Sequence, residues 1–255
     1  MSGSLVIVGL GPGSIDLLTP AATRSIAAAT DLIGYGPYLE RIPDTVPGQR
    51  RHPTDNRVEI ERARHALTLA AEGRKVAVVS GGDPGVFAMA AAVFEAVEGG
   101  ASHWRELEIH VEPGITAMLA AAAEVGAPLG GDFCAISLSD NLKSWATIER
   151  RLRAAATGDF VIALYNPASK ARPHQLGQAF DLLRTIKPPH TVVLLVRKAA
   201  TPDTRVIVTS LAEVDPAQAD MRTLVIIGAE ATRLIPRSGQ RPWVYTPRAE
   251  AGVSR

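Results

Sequence analysis

The sequence predicts an α/β protein made of two α/β domains, residues 1–113 and 114–255. Short β-branched runs alternate with longer helical patterns through the first half, the mark of parallel βαβ units with right-handed crossovers. Several runs end in loops rich in glycine and proline, among them GLGPG (9–13), SGGDPG (80–85), EPG (112–114) and YNP (165–167). A second series of apolar runs begins beyond Pro113-Gly114, the expected seam, and its short links imply some antiparallel pairing. A mostly parallel sheet is therefore expected in the first domain and a mixed sheet in the second.

The elements follow in order. LVIV (5–8) is a buried strand whose apolar run stops at Gly9, and with no basic segment before it the N-terminus does not resemble a signal peptide. A helix over 20–29 is expected to start with Thr19 as N-cap and Pro20 in its first position. DLIG (31–34), a helix over 57–73, KVAVVS (75–80), a helix over 86–98 and LEIHVE (107–112) complete the first domain. In the second, a helix over 116–124 precedes CAISL (134–138), and NLKSWATIERRLRAAA places Leu142, Trp145, Ile148 and Leu152 on one helical face. DFVIALY (159–165), a helix near 173–186, HTVVLLV (190–196), RVIVTSL (205–211) and TLVIIGA (223–229) follow. GQRRHPTDNR (48–57) is expected to be a basic loop, and the tail after Ile235, rich in Arg, Gly and Pro, to be loosely held.

Composition excludes several classes. Lys and Arg number 27 against 26 acids, so no global field recruits nucleic acid or membrane. The Ala-rich stretch 115–129 contains Glu124 and is too short to span a bilayer. The single cysteine, Cys134, excludes internal disulfides and all-cysteine metal sites, fits a reducing cytoplasm, and lies in an apolar run as a core thiol. The six histidines show no ligand spacing, and no metal is expected.

The opening loop has glycines at 9, 11 and 13, the spacing G-x-G-x-G, with Ser14 where a dinucleotide fingerprint needs its third glycine. Pro12 removes a backbone N–H that a pyrophosphate would use, and no Lys-Ser/Thr follows to make a P-loop. Both features disfavour an NAD(P)-dependent dehydrogenase. The loop still lets a ligand approach the backbone, because glycine has no Cβ. In the second loop Asp83 either caps the following helix or offers a carboxylate at the C-terminal end of a parallel sheet.

VGLGPGSIDLLT (8–19), SGGDPGVF (80–87), EPGITA (112–117) and ALYNP (163–167) occur in that order, and with them the chain resembles the tetrapyrrole methylases, S-adenosylmethionine-dependent enzymes acting on uroporphyrinogen and the precorrins. The resemblance covers roughly 5–230. LIGYGPYLERIP (32–43), ISLSDNLKSWATIERRL (136–152) and LYNPASKARPHQLGQAF (164–180) are similar to the branch that methylates precorrin-3B at C17 and contracts the ring to precorrin-4 in cobalamin biosynthesis. With one cysteine the chain resembles the shorter form that lacks an iron–sulfur region.

The resemblance implies a class III methyltransferase fold with the cofactor in an interdomain cleft, in a cytoplasmic homodimer. The cofactor contacts carried over are Pro12, Gly81, Gly82, Asp83, Val86, Thr116, Ala117, Asn166 and Ala199, the last in RKAATPDTR, which departs from the family's Gly-Thr loop. Asn166 would meet the cofactor through its backbone and leave its amide for substrate. A substrate with many carboxylate arms calls for arginine forks, and Arg50, Arg51, Arg57, Lys170 and Arg172 are the candidates. Methyl transfer itself needs alignment rather than a nucleophilic side chain. Ring contraction needs a proton-handling group, for which Asp140, then Tyr35, then Lys143 are the candidates, with Asp83 and Tyr38 also in loops near the proposed cleft. The alternatives are a tetrapyrrole methylase of different regiochemistry and a non-catalytic tetrapyrrole-binding domain.

Overall fold

β1 (Ser4–Gly9), β2 (Asp31–Tyr35), β3 (Arg50–Thr54), β4 (Lys75–Ser80) and β5 (Glu108–Glu112) form one sheet in a computed structural model that describes residues 3–44, 46–55 and 58–249. Its order is β3-β2-β4-β1-β5, with every pair parallel. The helices between these strands are α1 (Pro20–Ala28), α2 (Gly36–Leu39), α3 (Glu59–Ala71) and α4 (Met89–Gly99). Val76 and Val78 pack with Leu5, Ile7, Leu67 and Val93 on one face of the sheet. Ala77 and Val79 pack with Val8, Leu32, Ala22 and Ile26 on the other. Burial on both faces is why these strands read as continuous apolar runs rather than alternating ones.

α5 (Ala117–Ala123), β6 (Gly126–Ala127), β7 (Phe133–Ser137), α6 (Trp145–Thr157), β8 (Val161–Tyr165), α7 (Gln175–Arg184), β9 (Val192–Arg197), β10 (Arg205–Ser210), β11 (Thr223–Ile227), β12 (Arg233–Arg237) and β13 (Gln240–Tyr245) follow. A second five-stranded sheet has the order β10-β9-β11-β8-β7. β7 and β8 are parallel while β8–β11, β11–β9 and β9–β10 are antiparallel, the mixed sheet expected. Ile148 and Leu152 of α6 and Leu176 and Phe180 of α7 cover Ile162, Leu164, Val193 and Val225. The chain divides into two compact units, Met1–Ala117 and Met118–Arg255.

Thr19 caps α1 as expected: its side chain accepts from the Ala22 N–H, and Pro20 opens the helix. Other details depart from the sequence reading. Part of the basic segment is the edge strand β3, where Pro53 is tolerated because an edge can forgo one ladder bond. α6 begins only at Trp145, capped by Ser144 accepting from Thr147, so Leu142 precedes the helix and is 98% exposed. The tail does not simply trail away after Ile235. β12 and β13 make a hairpin that joins β6, and the Arg237 guanidinium stacks 4.2 Å from the Trp243 ring centroid.

Candidate functional site

Parallel strands deliver their C-terminal ends to one edge of a sheet, where α/β folds place ligand loops. In the first unit, the loops after β1, β4 and β5 meet there. Gly11 N–H donates to the Gly82 carbonyl at 3.1 Å and Gly82 N–H returns a bond to the Gly11 carbonyl at 2.9 Å. Asp83 ties in the third loop, its Oδ2 accepting from Gly114 N–H at 3.0 Å and its Oδ1 from Gly85 N–H at 2.8 Å. Asp83 therefore does not cap a helix. α4 starts later, at Met89, with Ala88 before it and no side-chain cap.

The glycines here are required by backbone contact. A Cβ on Gly9 would stand 2.7 Å from the Gly114 nitrogen, and one on Gly114 would stand 2.3 Å from the Gly82 oxygen. Gly82 differs: its φ is +69°, yet a Cβ would meet nothing nearer than the Thr116 Cα at 3.7 Å. The open side of the junction is thus bounded by Gly82, Thr116 and Ala117. Beside it, a Cβ on Gly81 would strike the Tyr38 ring at 2.7 Å. Tyr38 packs edge-on to Tyr35 at 5.4 Å. Arg41 donates from Nη2 to the carbonyls of Leu10 and Gly11 at 3.0 and 3.3 Å, fixing the first loop. Burial lowers the Arg41 pKa, opposed by Tyr38. The guanidinium nevertheless stays a donor, since its ordinary value is so high. Pro12, Gly81, Gly82, Asp83 and Thr116 lie in these loops and Ala117 opens α5; Val86 lies one turn beyond Asp83, its N–H on the Asp83 carbonyl at 3.3 Å.

The basic candidates of the first unit lie elsewhere. Arg50 is exposed at the start of β3, in register with Asp31, at the end of the sheet remote from the glycine loops. Arg51 donates to the carbonyls of Leu39 and Pro43 at 3.0 and 2.9 Å and so holds the turn after α2. Arg57 lies outside the described residues.

In the second unit, β7 and β8 run parallel with Ser137 opposite Tyr165, and two side-chain bonds join the segment from Ser137 to Asp140 with the segment from Asn166 to Gln175. Asn166, at φ +53°, donates from Nδ2 to Ser137 Oγ at 2.9 Å, so its amide N–H is already engaged within the protein. Gln175 donates from Nε2 to Asp140 Oδ2 at 3.1 Å. Arg172 is only 7% exposed and donates to the Asn166 carbonyl at 3.3 Å, with its other terminal nitrogen 3.6 Å from Met221 Sδ. It holds the loop that Asn166 begins, while Lys170 in the same loop is exposed. Burial and the nearby Arg151 charge lower the Lys143 pKa. Ala199 is buried between Lys198 and Ala200, both at positive φ, and Ala200 N–H donates to Glu124 Oε1 at 2.9 Å.

The sequence reading missed Arg41, Gln175 and Ser137. Nothing local distinguishes Arg41, whose partners are backbone carbonyls about thirty residues away. Ser137 and Gln175 both stand in quoted motifs, but only the parallel pairing of β7 and β8 explains their cross-links. Among the described residues no cluster of three or more His, Cys, Asp or Glu is arranged to hold a metal, and no helix is long and apolar enough to cross a membrane.

Comparison with known proteins identifies the family. The chain is 56% identical over 255 residues, the whole of both sequences, to a precorrin-3B C(17)-methyltransferase from Sinorhizobium sp. The crystal structure of the methyltransferase CobJ matches with a TM-score of 0.91 at 55% identity, covering 96% of this chain and 100% of that one. A uroporphyrin-III C-methyl transferase from Thermus thermophilus, solved with S-adenosylhomocysteine, shares the fold at a TM-score of 0.66 and 23% identity, over 89% of this chain and 97% of that one. Residues 4–215 match the tetrapyrrole (corrin/porphyrin) methylases, and the chain belongs to that family.

Proposed function

We propose that this protein transfers a methyl group from S-adenosylmethionine to C17 of precorrin-3B, with contraction of the ring to precorrin-4, in cobalamin biosynthesis. The observation that carries the reading is the 56% identity with a precorrin-3B C(17)-methyltransferase from end to end. S-adenosylmethionine supplies the methyl on a sulfonium and leaves as S-adenosylhomocysteine. The residues fit such a ligand, because the space beside Gly82 is one a Cβ would begin to fill, with the backbone of Ile115, Thr116 and Ala117 as its nearest neighbours. Asp83 holds the neighbouring loop at Gly114, and Arg41 holds the first loop at Leu10 and Gly11. In the second unit, Asp140 is a carboxylate with a fixed orientation, the kind of group that could take a proton from the substrate. The protein is proposed to work as a cytoplasmic homodimer, a state that sedimentation would check.

Two measurements test the reading. S-adenosylhomocysteine should raise the melting temperature while NADP does not, since binding to the native state alone adds about 2.7 kcal/mol at a hundredfold excess over Kd. Mass and NMR analysis of the product from precorrin-3B should show one added methyl, placed at C17 on a contracted ring. A product methylated elsewhere would replace the regiochemistry, and no transfer at all would refute the enzyme.

A further inference from the structure

The arginines of the first unit expected to meet substrate carboxylates are turned elsewhere, Arg50 to the remote end of the sheet and Arg51 onto the carbonyls of Leu39 and Pro43. The segment after β2 supplies other donors. β2 runs parallel to β4 and beside it, so Tyr38 in α2 and Arg41 just after it stand at the same edge as the glycine loops. Arg41 uses only Nη2 on the Leu10 and Gly11 carbonyls, and its Nε and Nη1 have no hydrogen-bond partner among the described residues. Tyr38 meets its neighbours through its ring, edge-on to Tyr35 and with the Arg41 Cζ 6.0 Å from the ring centroid. Its hydroxyl has no hydrogen-bond partner among the described residues either. The buried side-chain atoms left unpaired among them are Arg51 Nε, Ser169 Oγ and Gln175 Oε1. None belongs to Tyr38 or Arg41, so the unpaired donors of both are open to solvent.

Charge at this spot is unbalanced. The Tyr38 oxygen is close enough to act on two guanidiniums, those of Arg41 and Arg62. Arg62 is buried against Thr54 Oγ1, the Asp55 carbonyl and Met89 Sδ, with Glu59 as its counter-charge. No acid acts on Arg41 in the same way. A phenol O–H and a guanidinium edge, both open and both donors, suit a ligand that accepts two hydrogen bonds and carries negative charge. We infer that the Tyr38 hydroxyl and the open edge of Arg41 form a subsite for one carboxylate arm of the tetrapyrrole. The inference rests on the proposed function and adds to it two residues and the substrate group they take.

Tyr38→Phe keeps the ring against Gly81 and Tyr35 and removes only an open, unpaired hydroxyl, so the fold should not suffer. The test is steady-state kinetics of this variant with precorrin-3B, alongside melting curves and S-adenosylhomocysteine titration. The expected result is a roughly ten- to hundredfold higher KM, the size of one hydrogen bond to a charged group, with kcat, Tm and S-adenosylhomocysteine affinity held. Arg41→Lys keeps the charge but loses the planar edge, and should raise KM as well. The double variant should lose less than the product of the two single losses, because both donors grip one carboxylate. An unchanged KM in Tyr38→Phe overturns the inference, as does a fall in kcat with KM held, a lowered Tm, or single losses that multiply in full. Weaker S-adenosylhomocysteine binding by Tyr38→Phe with KM for precorrin-3B unchanged assigns the pair to the cofactor's own carboxylate and overturns the substrate arm. Wild-type protein that binds S-adenosylhomocysteine but leaves precorrin-3B unmethylated refutes the proposed substrate, a failure seen before any variant is made.

Discussion

Replacing Gly114 by alanine should do far more damage than replacing Gly82, although both glycines stand in the same junction. At Gly114 the new Cβ would fall 2.3 Å from the Gly82 carbonyl oxygen and 3.0 Å from the Gly9 backbone. None of these atoms belongs to a side chain that could rotate away, so the loops must separate. Overpacking of this kind costs about 1–3 kcal/mol. Separation also stretches the bond from Gly114 N–H to the Asp83 carboxylate, and a hydrogen bond to a charged group contributes about 1.5–3 kcal/mol. The sum is about 2.5–6 kcal/mol, on the order of 10 °C in Tm for a chain of this size. At Gly82 the Cβ has room, and the cost is the left-handed backbone alone, about 1–2 kcal/mol for an L-residue at φ +69°. Gly82→Ala should therefore fold, melt only about 5 °C lower and bind S-adenosylhomocysteine more weakly, since its methyl enters the open side. Urea denaturation and calorimetric titration of the two variants make the comparison. Gly114→Ala within about 1 kcal/mol of wild type, or less damaging than Gly82→Ala, would refute backbone contact as the reason for these glycines.

Ala200→Gly should stabilise the protein by about 1 kcal/mol, because Ala200 is held at φ 58° where an L-residue is strained, and thermal melting would register the gain. Asp31 is fully buried; burial alone would raise its pKa, but hydrogen bonds from His52 and Thr30 and the charge of Arg74 hold it below its ordinary 3.8. A carboxylate depressed in the folded state stabilises above its unfolded pKa and loses that contribution as pH falls through the folded one. The stability gap between wild type and Asp31→Asn, followed by urea melts, should then be widest near neutral pH and narrow below about pH 4. Burial raises the Cys134 pKa, only partly offset by Lys187, so a disulfide reagent at pH 8 should label the unfolded chain much faster than the folded one.

The parts legible in the sequence are those fixed by local chemistry or by burial on both faces. KVAVVS and VIALY announce inner strands because Val76–Ser80 and Val161–Leu164 are buried without a break, and Thr19-Pro20 announces a helix start because capping is a local bond. β3 escaped notice because an edge strand need not be apolar, and Arg50, Arg51 and Pro53 conceal it. Leu142 has the right spacing for the buried face of α6, but Ser144 caps the helix three residues too late to include it. The glycine loops could be found by spacing, yet the role of Asp83 could not. Its partner Gly114 is 31 residues away, and only the juxtaposition of β4, β1 and β5 brings it there. Gln175 was hidden for the same reason, 35 residues from Asp140.

The order β3-β2-β4-β1-β5 also bears on how the chain is made. β1 leaves the ribosome first among these strands, yet both of its neighbours lie far downstream, β4 at Lys75–Ser80 and β5 at Glu108–Glu112. At about 5–20 residues per second, the apolar LVIV segment waits several seconds or more for both partners to emerge. β2 cannot shelter it, since β4 stands between them. Nascent chains halted before β5 should therefore bind hydrophobic-segment chaperones through residues 5–8, and release should come abruptly once Gly114 is free to close the junction.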